Sequence, residues 1–363
     1  MREIRQSGSE GGVALTRHPY PYELAARIEV SAPDRLAVVV ADAAAIYPVR
    51  IDPTFSDANW TSLGGLPGAN ASVNASVVDG AGNLYVAGGF TVIGTVAANC
   101  IAKWDGTSWS ALGSGMVGSV YALAVSGSTL YAGGNFTVVG GSSASAALAK
   151  WDGIAWSALG SGVSGQVYSL AVSGSTLYAG GTFTTAGGVS ANYIAEWNGT
   201  TWSSLGSGMG AMVRSLVVSG TTLYAGGDFT TAGGSTIYRI AQWDGSGWSA
   251  LGPGLYGTIN SMAVSGSRLY VGGYITKTQG GVNGSLNNVV QWDGTTWSSL
   301  GGGVDNTVSA LVVSGGDLYV AGQFTTAGTS AINRVAKWDG TAWSALGSGV
   351  RADSSGKTRM NKG

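Results

Sequence analysis

Residues that could do chemistry are scarce in this sequence of 363 residues. It holds one histidine, His18, and one cysteine, Cys100, and its 19 carboxylates are spread along the chain. One histidine and one cysteine cannot supply the ligand set of a copper or zinc enzyme, or the groups that most hydrolases use. We therefore expect no catalytic residues, no metal site and no cofactor, and we interpret the protein as non-enzymatic.

One acidic motif, Trp-Asp-Gly, recurs along the chain. Its aspartates are Asp105, Asp152, Asp244, Asp293 and Asp339. Calcium takes six to eight oxygen ligands, and one aspartate beside a glycine supplies far too few. Asp-Gly is instead a strong signal for a two-residue β-hairpin turn, in which both central residues need positive φ. We predict that these aspartates shape turns.

A second tryptophan follows each of these turns. The same position in the repeat with Asn198, and one more position near residue 60, also hold tryptophan, and together these residues give the period of the chain. They are Trp60, Trp109, Trp156, Trp202, Trp248, Trp297 and Trp343. The spacings are 49, 47, 46, 46, 49 and 46 residues, which is the period of a β-propeller blade. The paired tryptophans could stack on sugars, but one pair per repeat is better suited to packing between neighbouring blades.

Each repeat divides into four short segments with the period-two alternation of β-strands. In one repeat they are 120–127, 129–137, a strand ending at Trp151, and the Trp-Ser-Ala-Leu-Gly segment from Trp156. Tight turns join strands one and two and strands three and four, whereas the other two connections are long and glycine-rich. In an up-and-down blade all the long connections lie on one rim, where we expect function.

Two positions vary among repeats that are otherwise nearly identical. The second residue of strand one is Asn74, Tyr121, Tyr168, Arg214, Asn260 or Ser309. The residue before the strand-two phenylalanine is Gly89, Asn135, Thr182, Asp228, Tyr274 or Gln323. Because strand one lines the central channel of a propeller, we predict a ligand site at the channel mouth formed by Tyr121, Tyr168, Arg214 and Asn260. Neutral drift at solvent-facing positions is the alternative explanation.

The fold class predicted is all-β, a propeller of four-stranded antiparallel blades, with seven blades preferred and six as the alternative. Residues 59–350 carry the repeats, and 59–65 resemble an isolated fourth strand. Residues 19–65 would form a degenerate first blade or, alternatively, a separate β appendage. We expect residues 1–18 to be loose and residues 351–363 to be a disordered tail.

Composition narrows the function. Charged residues make up only 10% of the chain and the net charge is −1. The chain therefore has no positive electrostatic field that would attract a nucleic acid backbone. No apolar run is long enough to span a membrane. Few lysines with plentiful Ser, Thr, Gly and Trp favour an extracellular or cell-surface location, although the sequence shows no signal peptide at its start. We expect a monomer.

The repeat has a family resemblance. Leu-Tyr-(Val/Ala)-Gly-Gly, then Phe-Thr, then a tryptophan hairpin, resembles a kelch-type propeller repeat. The fuller pattern GGxFTxAGG…IAxWDGxxWSxLGSG is similar to repeats of bacterial surface and secreted proteins, and to the ectodomain of fungal cortical polarity markers (bud-site landmark proteins). The resemblance implies a propeller used for recognition or display and carries no agreed chemistry.

The sequence therefore predicts a non-catalytic scaffold that binds a protein or a glycan through its long-loop rim. Two alternatives stay open. One is a lectin with a sugar site on the tryptophans of each blade. The other is a propeller enzyme, which would need carboxylates or arginines converging in one pocket.

Overall fold

The protein's structure, a computed structural model, describes residues 68–141, 147–279 and 286–347, together with the backbone of six short strands outside these ranges. All the regular secondary structure in these residues is β-strand. The chain divides into two compact units, residues 1–54 and 55–363.

The first unit contains one four-stranded antiparallel sheet whose strands pair in chain order. Its strands are Gln6–Ser7, Gly12–Leu15, Leu24–Ala32 and Arg35–Val40. Two of them lie within residues 1–18, and Gly12–Leu15 pairs with Leu24–Ala32. That residues 1–18 are loose stays a prediction.

The second unit contains six four-stranded antiparallel sheets, blades 1 to 6, each made of four successive strands that we call strands one to four. Blade 1 comprises Val73–Val78, Leu84–Gly88, Ile101–Trp104 and Trp109–Ala111; blade 2 comprises Met116–Ser126, Thr129–Val139, Leu148–Trp151 and Trp156–Ala158. Blade 3 comprises Val167–Ser173, Thr176–Gly181, Ile194–Trp197 and Trp202–Ser204; blade 4 comprises Val213–Ser219, Thr222–Gly227, Ile240–Trp243 and Trp248–Ala250. Blade 5 comprises Leu255–Ser265, Arg268–Thr278, Val289–Trp292 and Trp297–Ser299; blade 6 comprises Val308–Ser314, Asp317–Gly322, Val335–Trp338 and Trp343–Ala345.

The propeller thus has six blades, the alternative count, and not the preferred seven. The spacing argument for a seventh failed because two of the strands assigned to it, Leu24–Ala32 and Arg35–Val40, pair with each other and with Gly12–Leu15 in a separate sheet. That segment also lacks the glycine pair of strand two that the repeats share. The isolated strand predicted at 59–65 lies outside the described residues.

A further pair of strands, Val350–Ala352 and Thr358–Met360, lies at the end of the chain. The Ser-Ser-Gly sequence between them is typical of a turn. That residues 351–363 form a disordered tail stays a prediction.

In blades 2 to 5 a glycine of strand two meets a β-branched residue of the next blade's strand one, and in blade 1 Ala87 holds the glycine position. A Cβ atom on Gly180 would lie 2.5 Å from the Val213 Cγ1 atom, and one on Gly133 would lie 2.6 Å from Val167 Cγ1. This close approach buries Val120, Val167, Val213, Ile259 and Val308 completely. Val73, in the same position of blade 1, is 48% exposed, because no described residue covers it as a preceding blade would.

The tryptophan pairs form the outer layer between blades. In each described pair the ring centroids lie 5.0 to 5.4 Å apart and the planes are tilted by 45° to 54°. In blades 2 to 6 the indole N–H of the second tryptophan donates to a leucine carbonyl in strand four of the preceding blade, as Trp202 does to Leu159 at 2.9 Å. All twelve described tryptophans are buried or half-buried. Their packing and these hydrogen bonds stabilise the contact between neighbouring blades.

The connection between strands two and three has two forms. In blades 1, 3, 4 and 6 it folds back as a two-stranded hairpin, such as Thr185–Ala186 with Val189–Ser190. In blades 2 and 5 strands one and two instead continue their pairing to 11 residues each. The position three residues before the interface valine or isoleucine of strand one (Val73 in blade 1) differs between the two forms in five blades, while blade 4 has Gly210 there and folds back without a side-chain acceptor. Asn70, Ser164 and Asp305 accept two backbone N–H groups of the folded-back loop in blades 1, 3 and 6. Val117 and Tyr256 hold that position in blades 2 and 5 and cannot do so.

Val167→Ala should lower the free energy of unfolding by about 2 to 3 kcal/mol, because it removes two buried methyl groups and leaves a cavity against Gly133. Val73→Ala is the matched control. Its side chain is half exposed, so its loss should cost well under about 1 kcal/mol. Urea unfolding of both variants measures the difference, and equal costs would contradict the packing described for the blade interfaces.

Candidate functional site

The channel mouth is lined by one side chain from each blade. A cavity of about 410 Å³ is bordered by Asn74, Tyr121, Tyr168, Arg214, Asn260 and Ser309. These are the six residues of the variable position in strand one, and they include the four predicted site residues. The structure therefore brings together every member of the predicted set around one cavity.

A β-bulge directs these side chains into the cavity. In blade 3, Val167 is paired with Gly181 and Ser169 with Gly180, so Tyr168 is the extra residue of strand one. The same register shift occurs at Asn74, Tyr121, Arg214, Asn260 and Ser309. Bulges re-aim a side chain out of the regular alternation. Valine and serine on either side keep their contacts within or between blades, while the bulged residue faces the channel.

Two tyrosines form the aromatic part of the lining. The rings of Tyr121 and Tyr168, from neighbouring blades, stack with centroids 5.2 Å apart and planes within 3° of parallel. The Tyr168 hydroxyl donates a short hydrogen bond of 2.5 Å to the Gln166 Oε1 atom. Stacking and this bond fix the ring orientations before any ligand arrives, so little side-chain entropy would be lost on binding.

An arginine and an aspartate form the charged part. Arg214 donates from Nε and Nη2 to the Asp228 carboxylate, with the shortest distance 2.8 Å. The two side chains remain 33% and 27% exposed. Arg239 donates to the Asp228 backbone carbonyl from the other side. Two guanidinium groups and one carboxylate give this part of the rim a net positive charge, and Arg214 is held in place by a two-point contact with that carboxylate.

Asparagine side chains extend the lining and keep an acceptor available. Asn74 Nδ2 donates to the Val120 carbonyl at 2.9 Å, and Asn260 Nδ2 donates to the Val308 carbonyl at 2.9 Å. Each bond crosses to the next blade and orients the amide. The Oδ1 atom is then left to accept a hydrogen bond from a hydroxyl or N–H group.

A third variable position on this rim escaped the sequence analysis. The residue before strand three is Cys100, Ala147, Tyr193, Arg239, Asn288 or Arg334, and each has φ between 63° and 68°. The carbonyl group of this residue accepts the N–H of the second strand-two glycine, as Arg239 does from Gly227 at 2.9 Å. The variability of this position beside a residue that is always Ile, Leu or Val could have revealed it. The left-handed backbone at non-glycine residues could not be predicted from the sequence.

Cys100 illustrates the structural role of this position. Its side chain is 5% exposed and its thiol donates to the Gly118 carbonyl at 2.9 Å. Burial raises the pKa of the Cys100 thiol, so the thiolate needed for nucleophilic chemistry is disfavoured. His18, the one histidine, lies outside the described residues.

The aspartates of the Trp-Asp-Gly motif bind backbone rather than metal. Asp244 Oδ1 accepts the N–H groups of Ser246 and Gly247 at 2.8 and 2.9 Å and the Ser246 hydroxyl at 2.8 Å. These bonds lower the pKa of Asp244 to about 2. Asn198 holds the same turn in blade 3 with the same backbone bonds. Across the described residues no group of three or more His, Cys, Asp or Glu side chains is arranged to hold a metal ion.

Fold and cavity together define the class: a β-propeller whose channel mouth is lined by one variable side chain from each blade. The family model of the Rax2 C-terminal beta propeller domain matches residues 53–221. The chain thus resembles the propeller of a fungal polarity marker, as the repeat motif predicted. None of the curated proteins searched matches the chain.

Solved structures similar to this chain include a propeller domain. The WD40 beta propeller domain of Doa1 is 13% identical, with a TM-score of 0.50 over 81% of this chain and 90% of that chain. The computationally designed Ika8 protein gives 15% identity and a TM-score of 0.47, covering 94% of this chain and 83% of that one. The extracellular domain of a putative hybrid two component system from B. thetaiotaomicron is 12% identical, with a TM-score of 0.49 over 81% of this chain and 38% of that chain. At 13% identity, the similarity to the Doa1 domain shows a propeller fold alone. In the ranges described, we find no helix that could cross a lipid bilayer.

Acid should weaken the Trp-Asp-Gly turns. The folded-state pKa of Asp244 and Asp339 is about 2, below the ordinary value of 3.8. The stabilisation is therefore complete above pH 3.8 and is lost as the pH falls toward 2. Replacing all five motif aspartates by asparagine, the residue that blade 3 uses at Asn198, should leave the melting temperature at pH 7 nearly unchanged and reduce its decline between pH 4 and about 2. An equally steep decline in the variant would show that other carboxylates control acid unfolding.

Proposed function

We propose that this protein is a non-catalytic binding module that recognises a protein or a glycan at the channel mouth, and that it acts outside the cell or at its surface. One observation carries the proposal: six bulged side chains, one from each blade, converge on a single cavity while the residues around them repeat. A scaffold needs constant residues at its interfaces, and recognition needs different residues at one place. At the channel mouth, six variable side chains stand among constant residues that hold the blades together.

The cavity wall is suited to binding rather than to catalysis. Of its six side chains, Arg214 carries a charge at neutral pH, and that charge already contacts Asp228. Tyr121 and Tyr168 supply rigid apolar area with hydroxyl groups, and Asn74 and Asn260 supply amide oxygens. These groups form hydrogen bonds and stacking contacts with a bound molecule. Bond cleavage would need a nucleophile and a base placed together.

The extracellular location rests on two supports. The low lysine content with abundant Ser, Thr, Gly and Trp suggested it, and the resemblance to the Rax2 propeller agrees with it. A lectin that uses the tryptophans as platforms lacks support, since the described indole rings pack between blades and bond to the preceding one. A glycan would have to bind through tyrosine instead.

The test is a screen of the full chain on a glycan array and a display library of cell-surface proteins. Each hit is then measured with Tyr168→Asn and Arg214→Ser. Asparagine and serine occupy this position in blades 1 and 6, as Asn74 and Ser309, so both variants should keep the bulge and the fold. We expect either change to weaken binding by about tenfold or more, because each removes a contact in the centre of the site.

The control is Ile154→Ala. Ile154 is 87% exposed in the turn between strands three and four of blade 2, on the rim opposite the channel mouth. It should leave binding unchanged. If hits bind the Tyr168 and Arg214 variants as well as the unaltered chain, the site lies elsewhere.

A further inference from the structure

Blade 5 exposes aromatic side chains that the fold does not require. Tyr256 and Tyr274 are 54% and 56% exposed, and no other aromatic side chain in the described residues is as open. Both belong to the hairpin of strands one and two, each of which has 11 residues. Exposed apolar surface gathered at one place on a soluble protein usually marks an interaction site.

The register of this hairpin places a lysine with the two tyrosines. Tyr256 is directly opposite Lys277, and the Lys277 Nζ atom lies 5.2 Å from the centre of the Tyr256 ring. Tyr274 is opposite Thr258, two residues further along strand one. Ile275, next to Tyr274, points to the buried side. Tyr256, Lys277 and Tyr274 therefore share the outer face, which we call the blade 5 patch.

Blade 2 shows that the hairpin folds without these residues. Its strands one and two have the same lengths and the same two register shifts. Val117 and Val138 are the cross-strand pair that corresponds to Tyr256 and Lys277. Asn135 takes the place of Tyr274. Identical backbones with different outer faces mean that backbone pairing does not account for the patch.

Charge indicates what the patch would bind. Lys277 is exposed, and in the part of the chain described its ammonium group faces the Tyr256 ring and no carboxylate. A cation over one ring beside a second open ring fits a ligand that is flat and apolar on one side and anionic at one edge. Sugars with a carboxylate, the uronic acids, have this form: the C–H face of the pyranose stacks on tyrosine, and the carboxylate pairs with lysine.

The size of the patch favours a sugar over a protein. Two half-exposed tyrosines and a lysine offer on the order of 300 Å², whereas a stable protein interface buries about 800 Å² on each partner. An oligosaccharide needs two or three such contacts. We propose that the blade 5 patch is a binding site for an acidic oligosaccharide, with pyranose rings against Tyr274 and Tyr256 and a carboxylate at Lys277. This site uses none of the residues that line the channel.

The experiment exchanges residues between blades 5 and 2 in the full chain. Tyr256→Val, Tyr274→Asn and Lys277→Val each install the blade 2 residue, so the hairpin has a precedent for every change. Calorimetric titration with oligogalacturonate measures binding, and its methyl ester serves as the neutral probe. We expect the unaltered chain to prefer the acid by about tenfold, and added salt to reduce that preference. Lys277→Val should abolish the preference, and Tyr274→Asn should weaken both probes.

The reverse exchange gives a gain of function. Val117→Tyr, Asn135→Tyr and Val138→Lys together should create a second site on blade 2 and raise the stoichiometry from one to two. Tyr168→Asn should change neither the affinity for oligogalacturonate nor the stoichiometry, which separates this site from the channel mouth. Oligogalacturonate binding that survives the blade 5 substitutions overturns the proposal. So does equal binding of a polyglutamate peptide, because charge alone would then suffice, and so does the absence of any binding by the unaltered chain.

Discussion

Two adjacent small residues in strand two determine how the rest of this propeller is arranged. The first is glycine in blades 2 to 5 and alanine in blades 1 and 6, and the second is glycine in all six blades. The first faces the next blade, and a side chain on Gly180 would collide with Val213. The second faces strand one of its own blade, and a Cβ atom on Gly181 would lie 2.9 Å from the Gln166 carbonyl carbon and 3.1 Å from Val167 Cα. A small first residue lets the inner strands of neighbouring blades approach each other, and the glycine at the second position gives strand one room for a bulge in all six blades. The bulged residue then has one open direction, the channel.

This arrangement separates the residues that hold the fold from those that are free to vary. Val167 is fully buried between blades, and Ser169 accepts the Leu216 N–H of the next blade at 2.9 Å. Tyr168, between them, stacks on Tyr121 and donates to Gln166, and asparagine, arginine or serine takes its place in blades 1, 4, 5 and 6. Because close packing tolerates few changes, the variation within strand one is concentrated at the bulged position that faces the channel. Each blade can therefore carry a different side chain at the mouth at little cost to the fold.

The sequence predicted the features that depend on local pattern. Period, strand number, the turn role of Asp244 and the convergence of the strand-one residues all follow from spacing and alternation. Blade number could not be predicted in the same way. Leu24–Ala32 and Arg35–Val40 read as strands under either count, and only their pairing with Gly12–Leu15 decides where they belong. The left-handed residues before strand three were also missed, since Tyr193 and Arg239 have no intrinsic preference for positive φ.

The contrast between blade 3 and blade 5 shows why an exposed aromatic residue can arise in this fold. Ser164 accepts the N–H groups of Thr184 and Thr185, so its side chain holds the loop and is not available to a ligand. In blade 5 the loop needs no such acceptor, because pairing between strands one and two continues to Leu255 and Thr278. Backbone carbonyls then accept the hydrogen bonds that Ser164 accepts in blade 3. Tyr256 is thereby relieved of a structural role, and its ring is left at the surface beside Lys277.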